Sequence, residues 1–141
     1  MNMELDLEIE LEKVDDEDIT FLYDLLKKRD PNQNISHKHM PTLTEHEKFV
    51  LSNPYTNWYI IKKNNEKIGS IYLSKRDEIG ISILDNFQFD NIARISFKLL
   101  MELNPRKRYL ANVSPKNKIS QKFLESNGFT GLEYVYELKN V

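Results

Sequence analysis

One stretch, from Glu78 to Leu103, constrains the chain most, because it must pass from strand to helix across a short turn. Glu78-Ile79-Gly80-Ile81-Ser82-Ile83-Leu84 alternates isoleucine with small or polar residues, the two-residue period of a strand whose faces meet different surroundings. From Asn91 the apolar residues Ile92, Ile95, Leu99 and Leu103 recur at steps of three and four. Ala93, Phe97, Leu100 and Met101 widen the stripe until Asn104-Pro105 ends the helix. Asp85-Asn86-Phe87-Gln88-Phe89-Asp90 joins the two elements. A helix that opens straight after a strand turns unclosed backbone N–H groups toward whatever lies above the turn, and such groups suit a phosphate.

The remaining patterns arrange themselves around that turn. Met3, Leu5, Leu7, Ile9 and Leu11 alternate with five acids from Glu4 to Glu12, which predicts a half-buried strand whose acidic face is solvated. Asp15 to Asp18 at the start and Lys27, Lys28 and Arg29 at the end frame a helix with Ile19, Leu22, Leu25 and Leu26 inward. Thr44-Glu45-His46-Glu47 reads as a capping box, so a second helix runs to about Ser52 with His46, Phe49 and Val50 on one side. Three strands of a meander follow: 57–62, 68–73 after a turn at Asn64-Asn65, and the Glu78 strand. After the central helix, 108–113 reads as a short strand. Ser114-Pro115 opens a helix with Ile119 and Phe123 inward, closed by a left-handed cap at Asn127-Gly128. The last strand is expected at about Glu133 to Leu138. The whole is an α/β (α+β) chain, with a mixed, mostly antiparallel sheet of about six strands flanked by about four helices.

Composition narrows the chemistry. The 141 residues, 40% of them hydrophobic, suffice for one domain spanning 1–141 with a real core. A net charge of −2 disfavours a nucleic-acid surface, and Arg106-Lys107-Arg108 reads as a solvated turn. With no cysteine, disulfides, thiolate metal ligands and a thiol nucleophile are excluded. No apolar run approaches the roughly 20 residues needed to cross a bilayer, and the N-terminus is acidic, so the expectation is a soluble, cytoplasmic protein without membrane contact. His37, His39 and His46 lie within ten residues, but no Cys or well-spaced carboxylate completes a tetrahedral set, so no metal site is expected. No Gly-x-Ser-x-Gly elbow is present to support a hydrolase triad. An exposed edge strand leaves a homodimer open.

Two motifs, with the element order, carry a resemblance. Gln88-Phe89-Asp90-Asn91-Ile92-Ala93 resembles, at Gln88 and Ala93, the pyrophosphate loop of the Gcn5-related N-acetyltransferases, with Asn91 standing where the first glycine belongs. Asn tolerates left-handed backbone angles better than most residues, so the turn can form. Asp90 departs from the pattern as an anion beside phosphates, and Arg94 and Lys98 can offset it. The run from Asn117 to Phe129 is similar to the family's Asn-led helix ending in Gly-Phe, except that Leu124 stands where the family commonly has a tyrosine that protonates the departing thiolate.

The resemblance implies an acyl-CoA-dependent N-acetyltransferase with acetyl-CoA as cosubstrate. Gln88, Phe89, Asp90, Asn91, Ile92, Ala93, Arg94 and Asn117 would hold the cofactor, with Ile83 and Leu84 offering backbone groups to its extended arm. Glu78 is the candidate base for the attacking amine, directly or through water; otherwise it pairs with Lys75 or Arg76. His46, Tyr55 and Trp58 are candidates to line an acceptor pocket, or else core. The acceptor would be a primary amine on a small molecule, such as an amino-sugar nucleotide, or a protein N-terminus. The alternative is a module of the same fold that binds acyl-CoA or a protein partner without turnover.

Overall fold

The computed structural model describes residues 8–28, 40–88 and 91–140. Phe89, Asp90, His37, His39, Arg29 and the strand expected before Glu8 lie outside the described residues. Four strands, β1 (Ile9–Lys13), β2 (Asn57–Lys63), β3 (Glu66–Leu73) and β4 (Ile79–Ile83), form an antiparallel sheet in the order β1-β2-β3-β4. Four helices accompany it: α1 (Ile19–Lys27), α2 (Leu43–Leu51), α3 (Ile92–Leu103) and α4 (Lys118–Ser126). The β2–β3 hairpin turns at Asn64 and Asn65, both at positive φ (52° and 68°), the backbone sign that a two-residue hairpin demands and that Asn accepts.

Strand register sorts side chains onto two faces. Tyr59, Ile71 and Ile81 stand side by side, as do Ile61, Gly69 and Ile83. This row packs on α3 through Ile92, Ile95, Phe97 and Leu100 and makes the main core. The opposite face carries Trp58, Tyr72 and Gly80 abreast, and there Ile60 packs with Leu22 of α1 and Val50 of α2 in a second, smaller core. Ile61, Ile68, Ile71 and Leu73 are fully buried, each contributing on the order of 2 kcal/mol of transfer free energy.

Several expectations are corrected. The row of α3 turned fully inward is Ile92, Ser96 and Leu100, continued by the buried Asn104, while Leu103 is exposed. Steps of four keep these on one line, and Asn104 anchors the row's end by donating to the Tyr59 hydroxyl (3.1 Å) and the Leu100 carbonyl (2.9 Å). Helix α2 is capped by Thr42 with Glu45, not by Thr44 with Glu47. The Thr42 hydrogen bonds hold the Glu45 carboxyl below its ordinary value. Helix α4 opens at Asn117, whose Oδ1 accepts from the Ser120 N–H (3.1 Å), rather than at Ser114. Ile119 is therefore exposed, whereas Phe123 packs edge-on against Phe97.

Among the described residues the sheet has four strands rather than about six. Residues 108–113 make a single parallel bridge, Glu78 with Leu110, and residues 131–140 form no strand, leaving Tyr134, Val135, Tyr136 and Leu138 exposed. Gly128, at φ 91°, ends α4 as expected: its N–H reaches the Glu125 carbonyl and that of Phe129 reaches Leu124. Among the described residues no helix is long and apolar enough to cross a membrane.

Candidate active site

The site grows from the way β4 parts from its neighbour. The Ile79 N–H donates to the Leu110 carbonyl at 2.7 Å and the Leu110 N–H to Asp77 at 2.9 Å, and beyond that pair the two segments share no further bridge. Because Ile79 turns its N–H away from β3, strand alternation turns the backbone edges of Ile81 and Ile83 the same way, into the gap, while the Leu84 N–H turns back to Ile68 of β3 (2.9 Å). A cavity of about 580 Å³ occupies this gap. One end is walled by Leu84, Gln88, Ala93, Asn117 and Leu124, the other by Leu22, His46, Phe49, Tyr55, Trp58 and Tyr72.

At the first end, Asn91 takes φ 59° and ψ 13°, the left-handed conformation that the turn requires of the residue opening α3. Its side chain makes no capping bond, and the helix ladder begins with the Ile95 N–H on the Asn91 carbonyl at 3.1 Å. The N–H groups of Ile92, Ala93 and Arg94 precede that first bond and form the positive end of the helix dipole. Asn91, Ala93 and Arg94 border a second cavity of about 350 Å³ with Gln88, Ser126 and Asn127. The Ile92 side chain lies in the core, 1% exposed, so only its backbone can serve a ligand. Gln88 donates its amide to the Ile83 carbonyl (3.1 Å) and to Oδ1 of Asp85 (3.2 Å), which ties the turn to the cleft edge. Asn117 borders the cavity with its Oδ1 engaged as the cap of α4, leaving its amide nitrogen as the group for a ligand.

At the other end, Glu78 sits at the point of divergence. Its carboxylate accepts from Ser74 Oγ at 3.1 Å and from Asn112 Nδ2 at 2.8 Å, in place of the pairing with Lys75 or Arg76 that the sequence left open. His46 is buried (5% exposed) with its ring 5.2 Å from that of Tyr23. Tyr55 and Trp58 meet edge to face at 4.9 Å, and Tyr55 stacks flat on Tyr72 at 3.8 Å. Sequence reasoning missed Tyr72, Ser74 and Asn112. The facing of Tyr72 and Gly80 across a hairpin was the available signal, but it appears only once strand register is known. Among the described residues no group of three His, Asp or Glu side chains could hold a metal ion.

No protein-family model matches this sequence, and no curated protein does. Solved structures do match in shape. A domain from Methanocaldococcus jannaschii DSM 2661 is 25% identical, with a TM-score of 0.77 over 92% of each chain. The ribosomal-protein alpha-N-acetyltransferase RimL, in complex with coenzyme A, is 22% identical with a TM-score of 0.72 over 87% of this chain and 80% of that one. AAC(6')-Iy with a bisubstrate analogue is 18% identical with a TM-score of 0.69 over 94% and 98%. The chain has the Gcn5-related N-acetyltransferase fold. The parting of β4 from residues 110–113 and the aromatic end line the larger cavity, and Gln88 and Ala93, which border both cavities, stand between it and the smaller one at Asn91.

Proposed function

We propose that this chain transfers acetyl from acetyl-CoA to a primary amine, directly and without a covalent enzyme intermediate. The observation that carries the reading is the gap after the Leu110 bridge, with the main-chain edges of Ile81 and Ile83 facing a cavity that runs from the α3 N-terminus to an aromatic wall. An extended pantetheine arm pairs with such an edge as an added strand would. Its diphosphate then meets the first-turn N–H groups of α3, with Gln88 and Arg94 beside it.

The chemistry follows from that placement. The amine nitrogen adds to the thioester carbonyl carbon, the oxyanion is met by a β4 backbone N–H, and collapse breaks the C–S bond to release coenzyme A as a thiol. One good donor to such an oxyanion contributes about 3 kcal/mol. Glu78, held by Ser74 and Asn112 at the narrow end, takes the proton that the amine must lose, through a water. His46, Tyr55 and Trp58 shape the acceptor side, and the acceptor is a small amine, such as an amino-sugar nucleotide, or a protein N-terminus. We also read the chain as one domain acting in the cytoplasm.

A second reading, a module that binds acyl-CoA or a protein partner without turnover, is favoured by Leu124, which puts an alkyl group on the cavity wall where the resemblance has a phenol. Titration with acetyl-CoA by calorimetry, followed by thiol release with a panel of amines, separates the two. Micromolar binding with amine-dependent thiol release supports the transferase. Binding without release supports the module, and no binding overturns both.

A further inference from the structure

We propose that Tyr72 is the group that meets and protonates the departing thiolate, an assignment that rests on the acetyltransferase reading above. Tyr72 stands directly opposite Gly80 in the β3–β4 register. A Cβ at Gly80 would overlap Cζ, Cε2 and the hydroxyl of Tyr72, so the phenol end of the ring rests on the bare Cα, in space that only glycine leaves. Its ring is held flat against Tyr55, centroids 3.8 Å apart and planes 4° apart. Gly80 lies between Ile79, whose N–H closes the last bridge to Leu110, and Ile81, whose backbone edge faces the gap. The hydroxyl is thereby fixed beside the place where a thioester lying along β4 reaches the end of the cleft. Among the described residues nothing hydrogen bonds to it, and Tyr72 borders the cavity.

The other hydroxyls and acids fit the task less well. Leu124 has nothing to donate, Ser120 carries an alkyl hydroxyl that is a far weaker acid than a phenol, and Glu78 is already committed as the base. The proton count closes within the pair. The amine adds to the carbonyl carbon and its proton passes to Glu78; the oxyanion expels sulfur with the C–S electron pair; the Tyr72 hydroxyl gives its proton to sulfur. A phenol is a weaker acid than a thiol by about 1.5 units in ordinary values, so this transfer alone runs uphill. A protonated carboxyl is a far stronger acid than either, so Glu78, two residues before Gly80 on the same strand face, restores the phenol and completes the cycle.

The test is a double-mutant cycle read in two assays, calorimetry with acetyl-CoA and steady-state thiol release. The acceptor is whichever of an amino-sugar nucleotide, spermidine and a serine-initiated peptide gives wild-type turnover. Tyr72→Phe is expected to lower kcat by about tenfold or more, with the acetyl-CoA Kd and the acceptor KM within about twofold of wild type. Gly80→Ala, which drives the ring off the strand, is expected to lose as much, and the double variant no more than the worse single one. Wild-type kcat in Tyr72→Phe, or an effect confined to the acceptor KM, overturns this inference and leaves the acetyltransferase reading standing. Thiol release by the wild type with none of the three amines overturns both.

Discussion

Asn112 donates its side-chain amide to Oε2 of Glu78 at 2.8 Å, across the line where the sheet opens. The carboxylate is therefore aimed from both sides, by Ser74 within its own hairpin and by Asn112 from the facing segment. For Glu78→Gln, amine-dependent thiol release should fall by about tenfold or more near neutral pH and recover as rising pH deprotonates the amine, with acetyl-CoA binding unchanged. Asn112→Ala, which removes one of the two anchors, should lose less. Rates compared across pH for the two variants check this, and a flat, wild-type profile for Glu78→Gln would remove Glu78 from the mechanism.

Asn91 holds φ 59°, where a β-carbon costs roughly 1 kcal/mol that glycine does not incur. Asn91→Gly should therefore leave the fold as stable or slightly more so, and bind coenzyme A at least as tightly, by clearing a side chain from beside the phosphates. Asn91→Ala should fall below Asn91→Gly by about 1 kcal/mol, because alanine carries in full the β-carbon cost of this conformation. Denaturant melts and calorimetry with coenzyme A read both changes.

Ser96 is fully buried in α3, and among the described residues its hydroxyl finds no hydrogen-bond partner. Replacing it with alanine removes an unsatisfied polar atom and improves helix propensity, so Ser96→Ala should raise stability by about 1 kcal/mol, read as a higher urea midpoint at unchanged slope. A loss of stability would mean that the hydroxyl has a bound water as its partner.

Glu45 closes the capping box of α2, and the Thr42 backbone and side-chain hydrogen bonds lower its carboxyl from the ordinary 4.5. A depressed carboxyl gives stability that is present above the unfolded-state value and is lost as pH falls through the folded one. The melting temperature of the wild type should therefore drop more steeply below pH 4.5 than that of Glu45→Gln, and the two curves should converge in acid. Parallel curves would show that the cap bond does not depend on the charge.

Much of the centre of the molecule was legible in the sequence. The isoleucine alternation of β4 and the three-and-four spacing of α3 are local patterns, and they were enough to place the turn at Asn91 between them. What failed was whatever depends on distant partners. Two overlapping capping boxes, Thr42 with Glu45 and Thr44 with Glu47, are equal in sequence; the first is the one formed, where the Tyr23 hydroxyl donates to the Pro41 carbonyl (2.9 Å) just ahead of Thr42. The alternation at 133–138 reports a tendency toward strand, yet no described segment pairs with it. Tyr72 was invisible for the same reason: its neighbour Gly80 is eight positions away and meets it only through the hairpin.

The wall of the cleft formed by residues 105–113 has one main-chain bridge to the sheet, at Leu110. The Ile79–Leu110 pair, Arg106 on Asp77 at 3.0 Å and Asn112 on Glu78 all cluster at the narrow mouth, and no main-chain bridge follows. The β4 edge beyond the Leu110 bridge is left open, so a ligand can pair there without any strand pair of the sheet having to break.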